Sequence, residues 1–205
     1  MGDARMTEGA GAEQVLLDLI EEGVGASADS LAEVSRTKWT TQTTSSSADA
    51  SGSLEKIRTR LAGDQTEQYG AFMSMPGAVF LLMLPQKSGA KLAEAFLGEK
   101  RLLPGASVPP EGACVAEIAN IVVNAIANTM ANACDDSFVL SAPTMILGKK
   151  ERFLTLAQDE LKAAGETFAI MTYVSMSSQS LSSDCTVLLL LSPACRGRIL
   201  KALDQ

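Results

Sequence analysis

The chain has 205 residues, of which 46% are apolar and 20% charged, so it can bury a substantial core as one domain or as two closely packed halves. Its net charge of −7 and its scattered Lys and Arg residues argue against nucleic acid as a partner. It contains no histidine, which excludes Ser-His-Asp and Cys-His triads and removes the usual general base at neutral pH. No C-x-x-C pair occurs among the four cysteines, so we predict buried free thiols and no metal site: Cys114, Cys134, Cys185 and Cys195.

The N-terminal region carries no targeting signal that we can identify. The segment MGDARMTEGAGAEQ has no apolar signal core, and the longest apolar run, Ala78 to Leu84, is too short to span a bilayer. We therefore expect a cytoplasmic protein without membrane insertion. Residues 1–12 are predicted to be disordered, and residues 13–205 to form a single domain.

The first half of the chain begins with a helical pattern over residues 13–35. Gly23 and Gly25 interrupt this pattern, which indicates a bend, a break or another segment that crosses closely; we favour the close crossing. The Thr- and Ser-rich residues 39–50 are either an exposed strand, which we favour, or a flexible linker. A short helix is then predicted over 54–61.

A hairpin follows, with strands at 68–74 and 78–84 joined by a Pro76-Gly77 turn, and then a helix over 88–97. Residues 101–112 contain three prolines and two glycines, which is typical of a joint between two halves. The second half is predicted to form a helix at 113–133, a strand at 137–146, a helix at 149–164, strands at 166–176 and 184–191, and a helix at 194–203.

The same order of elements therefore occurs twice. The closest internal match is Ala78 to Pro85 against Thr186 to Pro193, each an apolar strand that ends at a proline before a helix. Chance similarity is the alternative, but a duplication explains the match more simply. It predicts an α+β fold in which two pseudo-twofold halves, 13–100 and 113–205, each contribute a helix-strand-helix-strand-strand-helix unit to one sheet flanked by helices.

The helix at 113–133 has an unusual polar face. At about 100° per residue, its apolar side chains fall on one side and Glu117, Asn120, Asn124 and Asn128 on the other. Asparagine is a poor helix former, so a ridge of three Asn residues indicates a further requirement, such as a docking partner.

The spacing along this ridge carries a resemblance. Glu117 and Asn120 form an E-x-x-N pair, and 22 residues separate Asn120 from Pro143. This pattern resembles the CheC/CheX/FliY family of chemotaxis phosphatases, whose signature is Asp or Ser, three residues, Glu, two residues, Asn, twenty-two residues and Pro. The first position of the signature falls on Ala113, which departs from the family.

The first half is similar to a decayed copy of the same helix when Gly25-Ala26 is matched to the family's Gly-Ala pair. In that register the Glu, Asn and Pro positions fall on Ile20, Gly23 and Ser46. We therefore expect one site, in the second half.

The resemblance implies hydrolysis of the aspartyl phosphate on a CheY-like response regulator that carries its own Mg²⁺, with no cofactor on this chain. Asn120 would position the attacking water and Glu117 would pair with a cation of the partner, while Asn124 would lie at the flank of the contact. Pro143 would shape the strand beside the helix, and Ala113 cannot form the hydrogen bond that Asp or Ser would make there.

The sequence also allows other interpretations. The chain could be a non-catalytic module that binds a response regulator or a CheD-like protein, or a component similar to those of the flagellar switch. An unrelated α+β enzyme with Glu117 as a base has little support without a phosphate-binding loop. Because the strand at 166–176 is apolar on both faces, helices or a second subunit must cover it, and a homodimer is one expectation.

Overall fold

The described residues form helices and one antiparallel sheet, as the α+β prediction requires. The computed structural model describes residues 4–46, 58–59, 61–97, 110–163, 170–181 and 183–203. The elements in chain order are α1 (Ala4–Ser35), β1 (Thr40–Ser46), β2 (Gln68–Met75), β3 (Ala78–Pro85), α2 (Gly89–Leu97), α3 (Pro110–Ala133), β4 (Thr144–Gly148), α4 (Lys150–Ala163), β5 (Ile170–Ser178), β6 (Ser183–Leu191) and α5 (Pro193–Leu203).

The six strands form one antiparallel sheet in the order β1-β5-β6-β3-β2-β4. The central strands β3 and β6 pair so that Ala78 faces Leu191 and Met83 faces Thr186. In the internal match Ala78 corresponds to Thr186, and Met83 corresponds to Leu191. Each of the two pairs is therefore the symmetry equivalent of the other. Each half also places its first strand beside the other half, β1 next to β5 and β4 next to β2. The α+β fold and its pseudo-twofold arrangement are confirmed.

Helices cover both faces of the sheet, so strand β3 is buried on both sides. Phe80 and Leu82 belong to the core beneath α1, α2, α3 and α5, whereas Val79 and Leu81 pack with α4 on the opposite face. A strand that is buried on both faces reads as a continuous apolar run rather than as an alternation. This explains why Ala78 to Leu84 is entirely apolar.

Helices α1 and α3 cross in close contact at Gly23. A Cβ atom on Gly23 would lie 2.7 Å from the Cα atom of Ile126, whereas a Cβ on Gly25 would meet nothing within 4 Å. The close crossing that we favoured is therefore confirmed at Gly23 and does not apply to Gly25. Helix α1 runs unbroken through both glycines and begins at Ala4, within the segment that the sequence predicts to be disordered.

The predicted strand at 137–146 is wrong at its N-terminal end, because β4 begins only at Thr144. Pro143 has no N–H and cannot donate to a strand ladder. Ahead of it, the Ser141 N–H donates to the Ser74 carbonyl at 2.8 Å, while the Ser74 N–H donates to the Ser141 hydroxyl oxygen at 2.9 Å. A side chain thus replaces a backbone group, and the regular ladder does not continue.

Other predictions are confirmed where the structure describes the residues. The strand favoured within 39–50 forms over Thr40–Ser46, and helix α3 begins at Pro110 rather than at 113. All four thiols are free; three are buried and Cys134 is half-buried. Most of the predicted helix at 54–61, residues 101–109 of the joint, and residues 166–169 of the predicted strand lie outside the described residues.

Candidate functional site

The candidate site lies on helix α3, and the first residue of this helix favours helix formation. Pro110 occupies the first helical position, where its missing N–H would be unsatisfied in any case. The apolar stripe is almost completely buried: Val115, Ile118, Val122, Ile126 and Met130 are at most 1% exposed. By length and composition alone α3 could cross a membrane, but about half of it is buried inside the fold, as in a core helix of a globular domain.

Glu117 and Asn120 lie one turn apart on the opposite side of α3. The Glu117 side chain is exposed and Asn120 is half-buried. Within the part of the chain that the structure describes, no hydrogen bond or ion pair engages either side chain. Both polar groups are therefore available to a partner.

Asn124 and Asn128 continue the ridge toward the C-terminus of α3, and both are exposed. The Asn124 carboxamide Nδ2 donates a hydrogen bond of 2.7 Å to the backbone carbonyl of Asn120. This bond turns the Asn124 side chain back along the helix toward Asn120. Asn124 thus supports the backbone at the site, in addition to flanking it.

Ala113 is half-buried and lies inside the helix rather than at its start. Because α3 begins at Pro110, a polar residue at position 113 could not cap the helix. Its remaining role would be a hydrogen bond to a partner, which alanine does not make.

The spacing of 22 residues has a geometric explanation. From Asn120 to Ala133 the helix rises about 20 Å. The following residues up to Pro143 can span up to about 33 Å when extended, which is enough to return to the level of Asn120. Strand β4 contacts α3, and Met145 packs against the same core as Ile121. The chain is therefore long enough to bring Pro143 back to the level of Asn120, and Pro143 is half-buried.

The region around the start of α3 is electronegative. Burial, with the charges of Glu117 and Glu111, raises the pKa of the Cys114 thiol to about 12. Burial, with the charge of Glu111, also raises the pKa of Tyr69. Cys114 therefore remains a neutral thiol at physiological pH and does not supply a thiolate nucleophile.

The counterpart of this site in the first half follows from the sheet. Phe72 on β2 pairs with Leu81, and Thr172 on β5 pairs with Leu189, the counterpart of Leu81 in the internal match. Phe72 and Thr172 therefore occupy equivalent places. Thr144 pairs with Phe72, and Ser45 pairs with Thr172. Thr144 is thus the counterpart of Ser45, 99 positions earlier.

The burial of the two helices gives the same shift of 99 positions. Leu16 and Val24 are buried on α1, as Val115 and Val123 are on α3. The register predicted from the glycines is consequently wrong. Ile20 is only 1% exposed, and Gly23 is buried against α3, so neither occupies a position like that of Glu117 or Asn120.

In the corrected register Asp18 stands in the place of Glu117, and Glu21 in the place of Asn120. Both are exposed on α1, and the Gln14 amide Nε2 donates to Asp18 Oδ1 at 2.7 Å. The pattern of exposed residues every three or four positions was the signal that could have found them. The structure thus places a carboxylate pair on α1 where α3 has a carboxylate and a carboxamide.

Comparison with solved structures identifies the fold. FliY from Thermotoga maritima is 10% identical, with a TM-score of 0.59 over 94% of this chain and 96% of that chain. The FliM middle domain from H. pylori is 11% identical, with a TM-score of 0.56 over 89% of this chain and 93% of that chain. A protein from Desulfovibrio vulgaris Hildenborough assigned to chemotaxis is 9% identical, with a TM-score of 0.52 over 84% of this chain and 95% of that one.

The protein therefore has the α+β fold of the CheC/CheX/FliY type, and the resemblance seen in the sequence is confirmed at the level of the fold. No protein-family model and no curated protein sequence matches the chain.

Proposed function

We propose that this protein hydrolyses the aspartyl phosphate of a CheY-like response regulator. The observation that carries the proposal is the unengaged pair Glu117 and Asn120 on one ridge of a rigid helix. Pro143 stands at the signature spacing, and the intervening residues are long enough to return it to the level of Asn120. Such a protein acts in the cytoplasm.

The chemistry needs little from the protein beyond positioning. Phosphoryl transfer passes through a loose transition state, so holding a water molecule in line with the phosphorus atom is a large part of what a catalyst can add. The Asn120 carboxamide both accepts and donates hydrogen bonds and can hold such a water. Glu117, one turn away, pairs with a cation of the partner and sets the register of the contact. The response regulator supplies its own Mg²⁺.

A second candidate is a non-catalytic module that binds a response regulator or a CheD-like protein, similar to a flagellar switch component. Ala113 favours it, because the group that Asp or Ser would offer to a partner is missing. The carboxylates Asp18 and Glu21 in the first half also favour it. The fold does not separate the two candidates, because it is shared with both FliY and FliM.

The decay of the aspartyl phosphate separates them. Purified protein is mixed with phosphorylated CheY-like regulators of the same organism, and the remaining phosphoprotein is followed over time. We expect faster decay with native protein and with Asn128→Ala, which lies on the same ridge, and an unchanged decay with Asn120→Ala. Tight binding with an unchanged phosphate lifetime would favour the binding module, and an absence of both would exclude both candidates.

A homodimer also stays a prediction. Val174 and Met176 on β5 are buried in the core that also contains residues of α1 and α3. This face of the strand therefore needs no second subunit. Light scattering of the purified protein measures the oligomeric state directly.

A further inference from the structure

A small cavity lies on the face of the sheet opposite α3, between helix α4 and the edge strand β4. Its volume is about 170 Å³, and its apolar walls come from Phe72, Val79, Ile146 and Leu156. For comparison, an apolar cavity of about 150 Å³ accommodates a benzene ring. The cavity therefore has room for one ring or a branched aliphatic group.

The walls of the cavity are fixed by the core. Val79 is 1% exposed, and the Phe72 ring packs edge-on against Phe153 with 6.1 Å between the ring centroids. Phe153 is itself fully buried. A ligand would consequently meet a preformed surface and would not have to order it.

The rim of the cavity is polar and carries a negative charge. Glu160 lies one helical turn after Leu156 on α4, and its carboxylate has no ion pair or hydrogen bond among the described residues. Ser141 and Thr144 also line the cavity, and the Ser141 hydroxyl oxygen already accepts a hydrogen bond from the Ser74 N–H. The charged group at the rim is therefore the Glu160 carboxylate.

We propose that this cavity binds a small organic cation, an amine with one aromatic ring or one branched aliphatic group. The apolar body occupies the space between Phe72, Ile146 and Leu156, and the ammonium group faces the Glu160 carboxylate. An organic anion of the same shape is disfavoured by that carboxylate and by the net charge of −7. The proposal does not depend on phosphatase activity, because its test measures binding alone.

Phenethylamine is a suitable probe, and phenylacetate is its matched anion with the same ring. The full chain is titrated with each compound, and the backbone resonances of Thr144 and Ile146 are followed by NMR. We expect saturable shifts with phenethylamine and weaker or no shifts with phenylacetate. Equal binding of the two compounds, or of uncharged toluene, would overturn the assignment.

Two variants with the same change in charge locate the ammonium group. Glu160→Gln is expected to weaken phenethylamine binding about fivefold. This loss of affinity is at the upper end of what a solvent-exposed ion pair contributes. Asp159→Asn is the control, because Asp159 is the preceding residue, pairs with Lys162 at 3.6 Å and does not line the cavity. Equal losses in the two variants would contradict the proposed site. Thr144→Trp, which places a large ring at the rim, should abolish the shifts.

Discussion

The exposed ridges of α1 and α3 occupy equivalent places in the two halves but carry different chemistry. Both helices bury most of the same positions against the same face of the sheet. On α3 the ridge presents Glu117 and Asn120, and on α1 it presents Asp18 and Glu21. The comparison separates two requirements: burial constrains the core positions of both helices, whereas the exposed positions are free to differ. Of the two pairs, the one on α3 includes a carboxamide that can both donate and accept hydrogen bonds, whereas both members of the pair on α1 are carboxylates.

The largest effect is expected from making the α3 ridge resemble the α1 ridge. Asn120→Asp places a carboxylate where α1 has Glu21; it accepts hydrogen bonds only and repels the phosphoryl group. We expect the acceleration of aspartyl phosphate decay to fall about 100-fold, which corresponds to about 2.7 kcal/mol in the activation free energy. A loss of this size is typical when a reacting group, here the attacking water, is held about 1 Å from its productive position. Asn128→Asp, with the same added charge on the same ridge, should retain activity. Equal losses would show that charge rather than position decides.

The next effect concerns the crossing that holds the two ridges side by side. Gly23→Ala places a Cβ 2.7 Å from the Cα atom of Ile126, so one helix must shift. We expect the free energy of unfolding in urea to fall by about 1–3 kcal/mol. Gly25→Ala has open space and should raise it by about 0.5–1 kcal/mol, because alanine is the better helix former. Similar values for both variants would contradict the close crossing.

A smaller effect follows from a place where the two helices differ in burial. Cys114 is fully buried, whereas its counterpart Val15 is 44% exposed. The pKa of Cys114 is raised from 9.0 to about 12, so its contribution to stability is complete below pH 9 and is lost as the pH rises toward 12.

We expect Cys114→Ala to reduce the loss of stability between pH 8 and pH 10 by about 1 kcal/mol, measured by urea unfolding at each pH. Cys185 is another buried thiol whose pKa burial raises to about 12, and it keeps part of the alkaline loss. An identical pH dependence in the variant and the native protein would show that Cys114 does not titrate in this way.

The smallest effect is expected from converting the α1 ridge to the chemistry of α3. Asp18→Glu together with Glu21→Asn, introduced into the Asn120→Ala background, creates an E-x-x-N pair at the equivalent place. We expect the acceleration to return to on the order of a tenth of the native value. Helix α1 lacks equivalents of the residues that support the site on α3, so the new side chains would be held less firmly in position. No restoration at all would indicate that the surroundings of α3 are indispensable.

The sequence predicted the central parts of the fold well because burial leaves a direct trace in it. Ala78 to Pro85 and Thr186 to Pro193 share an apolar run that ends at a proline, and these runs form the paired central strands. The same reasoning failed at the end of the strand predicted from 137, where the alternation continues but Pro143 and the Ser141 hydroxyl interrupt the ladder.

The candidate site was predicted on α3. Its counterpart on α1 was predicted at the wrong residues, Ile20 and Gly23. Glycines were used there to set the register, yet Gly23 is explained by the crossing with Ile126 and Gly25 by no contact at all. The strand pairing and the burial of whole helices together show that Asp18 and Glu21 are the counterparts of Glu117 and Asn120. The cavity beneath α4 could not be predicted either, because Phe72, Ile146 and Leu156 come from three separate elements.

The exchange of first strands between the halves has a consequence for folding. Strand β1 pairs with β5 only when residues about 130 positions apart meet, and β4 pairs with β2 across about 76 positions. A half expressed alone would lack the neighbour of its own second strand and would leave a sheet edge open to other chains. Two halves expressed together could pair through these strands. We therefore expect the intact chain to fold as a single cooperative unit.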